Sequence, residues 1–256
     1  MFSFLRSVFS SRREHAPRPL YVHNTLSGTR DEFQSERPGR VSVYSCGPTV
    51  YDFQTIGNLR SYVFADVLRR TFEYNGYRVK HVINITDVGH LTGDNLGDAD
   101  TGEDKMEKSA REKGEKISSI VQRVTNAFYE DLDRLNIARG KIQFVKATDH
   151  IAEQIALIRT LEEKGYTYRI SAGIYFDTAR FPHYGQLGKI DLKGLREGAR
   201  VKGNIEKRSP TDFALWKFSP NPPAGGAKRQ QEWGSPWGVG FPGWHIECSA
   251  MAAKHL

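Results

Sequence analysis

Hydrophobic and polar positions set out a strand, a helix and a second strand early in the chain. Val41-Ser42-Val43-Tyr44 is a short hydrophobic run that delivers Cys46 to a Gly47-Pro48 turn. Apolar residues then recur at helical spacing, with Phe64, Val67, Leu68, Thr71 and Phe72 on the expected inner face of a helix from about Ile56 to Asn75. Gly76 stands where a left-handed residue closes such a helix. A strand follows over Tyr77 to Ile85, with Tyr77, Val79, His81, Ile83 and Ile85 on one face. A helix between two strands implies a parallel pair joined by a right-handed crossover, so the fold class is α/β.

Further along, Thr86 to Asp104 is polar and rich in glycine and aspartate, and its acids lack the spacing of a calcium loop, so it reads as a mobile surface loop. Lys105 to Leu135 has the pattern of a long amphipathic helix with a break at Gly114 and an apolar face of Ile120, Val121, Val124, Phe128 and Leu132. Thr148 is the expected N-cap of a helix through Ile151, Ile155, Ile158 and Leu161, closed by Gly165. Tyr166–Ile170 and Gly173–Asp177 read as a hairpin. Phe181 to Pro242 is rich in Gly, Pro and Lys, interrupted by the strand-like Asp212-Phe213-Ala214-Leu215-Trp216. This middle section reads as an insertion into the α/β layer. The expected division is a basic tail over 1–20, a first half of the α/β domain over 21–146, an insertion over 147–240, and the start of the second half over 241–256.

Composition narrows the class. With 38% apolar and 26% charged residues, the sequence is that of an ordinary soluble globular protein, and no apolar run approaches bilayer length. A net charge of +7 suits a polyanionic partner. Two cysteines, Cys46 and Cys248, make no disulfide framework and point to a reducing, cytoplasmic setting. The Arg- and Ser-rich first twenty residues read as a basic tail rather than a targeting segment.

The candidate chemistry lies at element ends. The strand, the glycine-bearing loop and the helix start around Cys46 to Arg60 form a ready anion site, because backbone N–H groups and the helix dipole point at whatever binds there. Cys46 adds a soft metal ligand, and Cys248 sits at the start of another expected helix. Two thiolates are half of a tetrahedral zinc site; His245, three residues before Cys248, could share its helical face or instead point into the loop.

Five strings resemble the cysteinyl-tRNA synthetases, in the order that family has them. They are Cys46-Gly47-Pro48-Thr49-Val50-Tyr51-Asp52, Asn84-Ile85-Thr86-Asp87, Ala147-Thr148-Asp149-His150-Ile151, Asp212-Phe213-Ala214-Leu215-Trp216-Lys217 and Gly243-Trp244-His245-Ile246-Glu247-Cys248-Ser249-Ala250-Met251. The resemblance runs from about Tyr21 to the last residue. It implies a class I aminoacyl-tRNA synthetase with a Rossmann-type parallel sheet split by an inserted subdomain. The implied activity is ATP-dependent ligation of cysteine to tRNA(Cys), by a monomeric cytoplasmic enzyme with Zn2+ as cofactor, ATP with Mg2+ as substrate and no membrane partner.

The resemblance also implies roles for residues. Cys46 and Cys248 match the two protein thiolates of the family's zinc, to which the substrate thiolate adds itself. Gly47, Thr86 and Trp244 match positions lining the cysteine pocket. Thr55-Ile56-Gly57-Asn58 stands where class I enzymes carry His-Ile-Gly-His around the ATP phosphates, with Thr55 and Asn58 at the catalytic positions. Threonine departs from the pattern, since a hydroxyl is shorter than an imidazole and carries no positive charge. The sequence also stops at Leu256, ahead of the family's histidine and glutamate zinc ligands, second phosphate loop and anticodon domain, so the expectation is an incomplete chain. Lys105-Met106-Glu107-Lys108-Ser109 looks like that second loop but stands at a helix start. Two other readings use the same residues: a ligase joining cysteine to an amino sugar, and a non-catalytic remnant that binds cysteine or nucleotide.

Overall fold

The computed structural model describes residues 19–88, 103–189, 205–219, 229–243 and 245–256. The expectations for residues 1–18, for most of the 86–104 loop and for Trp244 lie outside these residues. Among the described residues, no helix is long and apolar enough to cross a membrane.

The first element of the described residues is a hairpin that the hydrophobic pattern does not announce, β1 (Tyr21–Asn24) paired antiparallel with β2 (Thr29–Glu32). Its turn is made by polar side chains: Asn24 accepts from the Leu26 N–H, and Asp31 accepts from Asn24, Ser27 and Thr29.

A three-stranded parallel sheet follows in the order β3 (Arg40–Ser45), β4 (Arg78–Ile85) and β5 (Ile142–Lys146). The helix α1 (Ile56–Tyr74) joins β3 to β4, and α2 (Lys105–Lys113) and α3 (Ile117–Arg134) lie between β4 and β5 in sequence. The break between α2 and α3 falls at Gly114, which has φ of 64° and lets the chain turn out of α2. On one face of the sheet, Ile83 and Ile85 pack with Tyr62 of α1, Met106 of α2 and Ile120, Val124, Phe128 and Leu132 of α3. Each such side chain contributes about 1.5–3 kcal/mol by leaving water. On the other face, Val82 and Val145 pack with Met251 of the last helix, α5 (Ile246–His255). The central strand β4 is therefore buried on both faces over His81–Ile85, where sequence reading assigned it one face.

The inner face of α1 also differs from the expectation. Phe64 and Val67 are 68% and 55% exposed, while Tyr62, Ala65, Asp66, Arg69 and Phe72 are buried. The charges can go inside because they are paired. Asp66 accepts from Arg69 at 2.5 Å and Arg70 at 2.6 Å, and Arg69 also reaches Glu73 at 2.6 Å.

The second layer is a four-stranded antiparallel sheet, β6 (Thr167–Ile170), β7 (Gly173–Phe176), β8 (Phe213–Phe218) and β9 (Gly240–Pro242) in that order. Helix α4 (Ile151–Glu163) precedes it, and Ile158 of α4 joins Ile174, Trp216 and Ile246 in its core. Asp212 anchors the loop before β8: buried, it accepts from the Tyr168 hydroxyl, the Thr178 N–H and hydroxyl, and the Ser209 N–H. Thr148 does not cap α4. It begins a single 3-10 turn, α4 starts after His150, and the Thr148 side chain is drawn to Asp87 instead.

Candidate active site

The site is built at the C-terminal ends of β3 and β4, where a parallel sheet opens its crevice. Register places Tyr44 beside Val82, so Tyr44 stands on the face covered by α5, and Cys46 follows two residues on, just past the end of the strand. Past Ser45 the chain leaves the sheet and is bound across the end of β4. The Gly47 N–H donates to Asn84 Oδ1 at 2.7 Å, and Asn84 Nδ2 donates to the Thr86 hydroxyl at 2.8 Å. The Thr86 N–H donates to the Pro48 carbonyl at 2.9 Å, and the Val50 N–H returns to the Thr86 carbonyl at 3.1 Å. Only glycine fits at 47, since a Cβ there would stand 1.6 Å from the Asn84 carbonyl oxygen.

The other half arrives from the antiparallel layer. Gly243 donates its N–H to the Leu215 carbonyl at 2.8 Å, and a Cβ at 243 would meet the Ala214 carbonyl oxygen at 2.0 Å. His245 then turns the chain with φ of 67°, and its carbonyl accepts from the Ser249 N–H and hydroxyl. Cys248 falls in the first turn of α5. The helix packs on α4 and β4, which carries Cys248 to the end of β3.

The two thiols meet there. Cys46 is exposed and Cys248 partly buried, and the two side chains share a hydrogen bond. That bond to Cys46 and burial push the Cys248 thiol far up from its ordinary value, with Glu247 adding to the effect. Glu247 is 2% exposed. Burial, then Cys248, push the Tyr44 phenol up in turn, and Cys46 also acts on Tyr62 of α1, whose phenol burial raises first. Such a pair holds its protons until a cation displaces them, and two adjacent thiols are the donor set a soft divalent metal takes. They fit half of a zinc site. Among the described residues, no group of three or more His, Cys, Asp or Glu side chains is gathered for a metal. His245 does not share the Cys248 face; its ring lies edge-on to Phe213, 6.5 Å away.

The Thr55–Asn58 segment is exposed at the start of α1. Thr55 and Asn58 form a reciprocal capping box: the Thr55 N–H and hydroxyl donate to Asn58 Oδ1 at 3.0 and 2.7 Å, and the Asn58 N–H donates back to the Thr55 hydroxyl at 3.4 Å. Ile56 is 87% exposed. A Cβ at Gly57 would meet only Thr55 Oγ1 at 3.6 Å, so packing does not require glycine at 57. Thr86 is buried within the loop network described above.

Three residues that sequence reading left without a role also build the site. Asn84 is fully buried in β4 and ties the Gly47 turn; an amide inside the apolar run Val82-Ile83-Asn84-Ile85 was the available signal. Tyr44 lies two residues before Cys46, and its phenol is close to both thiols. Asp87 accepts from the Thr148 N–H at 2.9 Å and hydroxyl at 2.6 Å, clasping β4 to the turn before α4. Burial pushes its carboxyl up, against the pull of Thr148. The clasp borders a cavity of about 630 Å³ between α3 and Gln230–Gln231, which neither thiol lines.

Comparison with known proteins adds a family to this geometry. Residues 32–256 match the family model described as tRNA synthetases class I (C) catalytic domain. The chain is 57% identical over 238 residues to "Cysteine--tRNA ligase 1" of Burkholderia lata, a match covering 93% of this chain and 48% of that protein. It is 50% identical over 241 residues to the "Cysteine--tRNA ligase" of Treponema denticola, covering 93% of this chain and 46% of the relative. Among solved structures, methionyl-tRNA synthetase of Mycobacterium tuberculosis in complex with methionyl-adenylate aligns with half of this chain at 19% identity and a TM-score of 0.42. The chain thus spans about half the length of the curated relatives it matches. On the match over residues 32–256, the chain belongs to the class I (C) tRNA synthetase catalytic-domain family.

Proposed function

We propose that this chain carries the cysteine- and nucleotide-handling part of a cysteine–tRNA ligase, which activates cysteine with ATP and transfers it to tRNA(Cys) in the cytoplasm. The observation that carries the reading is the meeting of Cys46 and Cys248 at the open end of a parallel sheet, on the loop that leads into an exposed helix start. The names of the relatives agree with it.

In this reading Cys46 and Cys248 hold zinc, which when bound supplies a soft acceptor that takes a cysteine thiolate and rejects a serine hydroxyl. Gly47 fixes Cys46 against β4 and keeps that wall of the pocket free of a side chain. Thr86 belongs to the wall of the amino-acid pocket, and the family motif assigns Trp244, which lies outside the described residues, to the same pocket. The start of α1 receives the phosphates of Mg2+-ATP on its N–H groups, with Gly57 leaving room for close approach and Asn58 as the side-chain donor. Thr55 serves there by fixing Asn58 rather than by supplying charge. The net charge of +7 favours approach of tRNA.

The test is a chimera in which residues 32–256 replace the matching segment of the Burkholderia lata ligase. The expected result is ATP–pyrophosphate exchange that requires cysteine, is not supported by serine, and is lost on Cys46→Ala or Cys248→Ala. A folded chimera that binds tRNA but shows no cysteine-dependent exchange refutes the proposal and favours a binding remnant.

A further inference from the structure

Tyr44 stands beside the thiol pair, and the reading above does not use its chemistry. Its ring packs against Val82, Val145 and Met251, an apolar setting in which phenylalanine would serve as well. The hydroxyl is shut off from solvent and makes no hydrogen bond of regular geometry among the described residues. A buried hydroxyl left in that state costs about 1–3 kcal/mol, so packing does not explain it.

Its position does. Tyr44 is on the α5 side of β3, and Cys46 lies just past the end of that strand, close enough to act on the phenol. Cys248 and Met251, three residues apart, share a face of α5, and Met251 is in the cluster that holds the Tyr44 ring. That packing brings the phenol hydroxyl beside the Cys248 sulfur. Like any phenol near neutral pH it carries its proton, so it is an O–H donor next to sulfur. A thiol accepts poorly from such a donor, whereas a thiolate accepts well.

We propose that Tyr44 is a positioning residue that donates its hydroxyl to the Cys248 sulfur once that sulfur is a metal thiolate. The donation fixes the Cys248 rotamer and withdraws charge from the sulfur, as partners in the shell around metal ligands commonly do. The inference rests on the metal reading of Cys46 and Cys248.

The experiment compares the whole chain with its Tyr44→Phe variant. Zinc affinity is read by competition with a chelator, and the sulfur-to-metal charge-transfer band is read on Co2+ substitution. The expected result is zinc affinity weaker by about 10–100-fold in Tyr44→Phe together with a shifted cobalt band. The metal-free variant should unfold at the wild-type urea midpoint or above it, which separates this effect from damage to the fold. Equal zinc affinity and an unshifted band in Tyr44→Phe overturn the role of Tyr44 while leaving the metal site standing. A wild-type chain with no sulfur-to-cobalt band, and unchanged metal binding in Cys46→Ala and Cys248→Ala, overturns the metal reading and the donation with it.

Discussion

Replacing Gly47 by alanine tests whether the thiol pair is held by the end of β4. The added methyl carbon would lie 1.6 Å from the Asn84 carbonyl oxygen, 2.7 Å from its carbonyl carbon and 3.0 Å from Ile83 Cγ2. Non-bonded carbon atoms settle at about 3.5–4.0 Å, so the loop must retreat by roughly 2 Å. The obstacle is backbone of the central strand within its buried stretch His81–Ile85 and does not swing away. Retreat also breaks the 2.7 Å bond from the Gly47 N–H to Asn84 Oδ1. Overpacking costs about 1–3 kcal/mol, and a buried acceptor left unpaired costs about 1–3 kcal/mol more. The sum is a loss of roughly 2–6 kcal/mol, a large share of the 5–15 kcal/mol typical of a domain. Urea unfolding followed by circular dichroism measures it. A second readout is local: a short cross-linker with two thiol-alkylating groups should bridge Cys46 and Cys248 in the wild-type chain and do so far more slowly in Gly47→Ala. A variant within about 0.5 kcal/mol of wild type, cross-linking at the same rate, would refute the argument that β4 sets the position of Cys46.

Three other outcomes are expected. Thr55→Ala should cost about 0.5–2 kcal/mol in urea unfolding by removing the cap of α1, and Thr55→Ser should restore most of it. Asp212→Ala should cost about 3–5 kcal/mol, because four donors lose a buried acceptor at once; a shift within about 0.5 kcal/mol would show that the loop before β8 is held otherwise. Burial pushes the Asp66 carboxyl up, but hydrogen bonds from Arg69 and Arg70 outweigh this and hold it below 3.8. A depressed acid stabilises the fold above the unfolded value and loses that contribution as pH falls through the folded value. Asp66→Asn should therefore be destabilised near neutrality, with the gap to wild type closing below pH 3.8, and a gap that stays constant into acid would refute the pairing as its source.

The fold class was legible because the parallel strands and their helices obey simple periods. The run to Cys46, the stop at Gly76 and the break at Gly114 each have a local cause. The inner face of α1 was not legible. Phe64 and Val67 outrank Asp66 and Arg69 on any hydrophobicity scale, and only the mutual pairing of the charges, which needs three dimensions, reverses the order. Thr148 misled for a similar reason. A threonine before an apolar-periodic run has the form of an N-cap, but Asp87, distant in sequence, competes for its N–H and hydroxyl and wins with two bonds. The thiols could be named from their strings, whereas their meeting depends on how α5 packs against α4 and β4.

The departure at Thr55 takes on a physical meaning from its neighbours. A histidine there would bring a ring that can carry charge, yet it would forgo the short hydroxyl that closes the box with Asn58. In the present arrangement Asn58 Oδ1 is held from two sides, by the N–H and the hydroxyl of residue 55. That leaves the Nδ2 group of the exposed Asn58 as the side-chain donor at the start of a 19-residue helix. Such a helix start offers aligned N–H groups and the positive end of its dipole, which stabilise phosphate without a charged side chain. On the proposed reading, a preorganised neutral pair stands where the family pattern has a cationic ring. Preorganisation matters most where charge develops during reaction, because a donor already in place costs nothing to orient. Thr55 and Asn58 are best understood as one unit, and replacing either without the other should cost both the cap and the donor it aims.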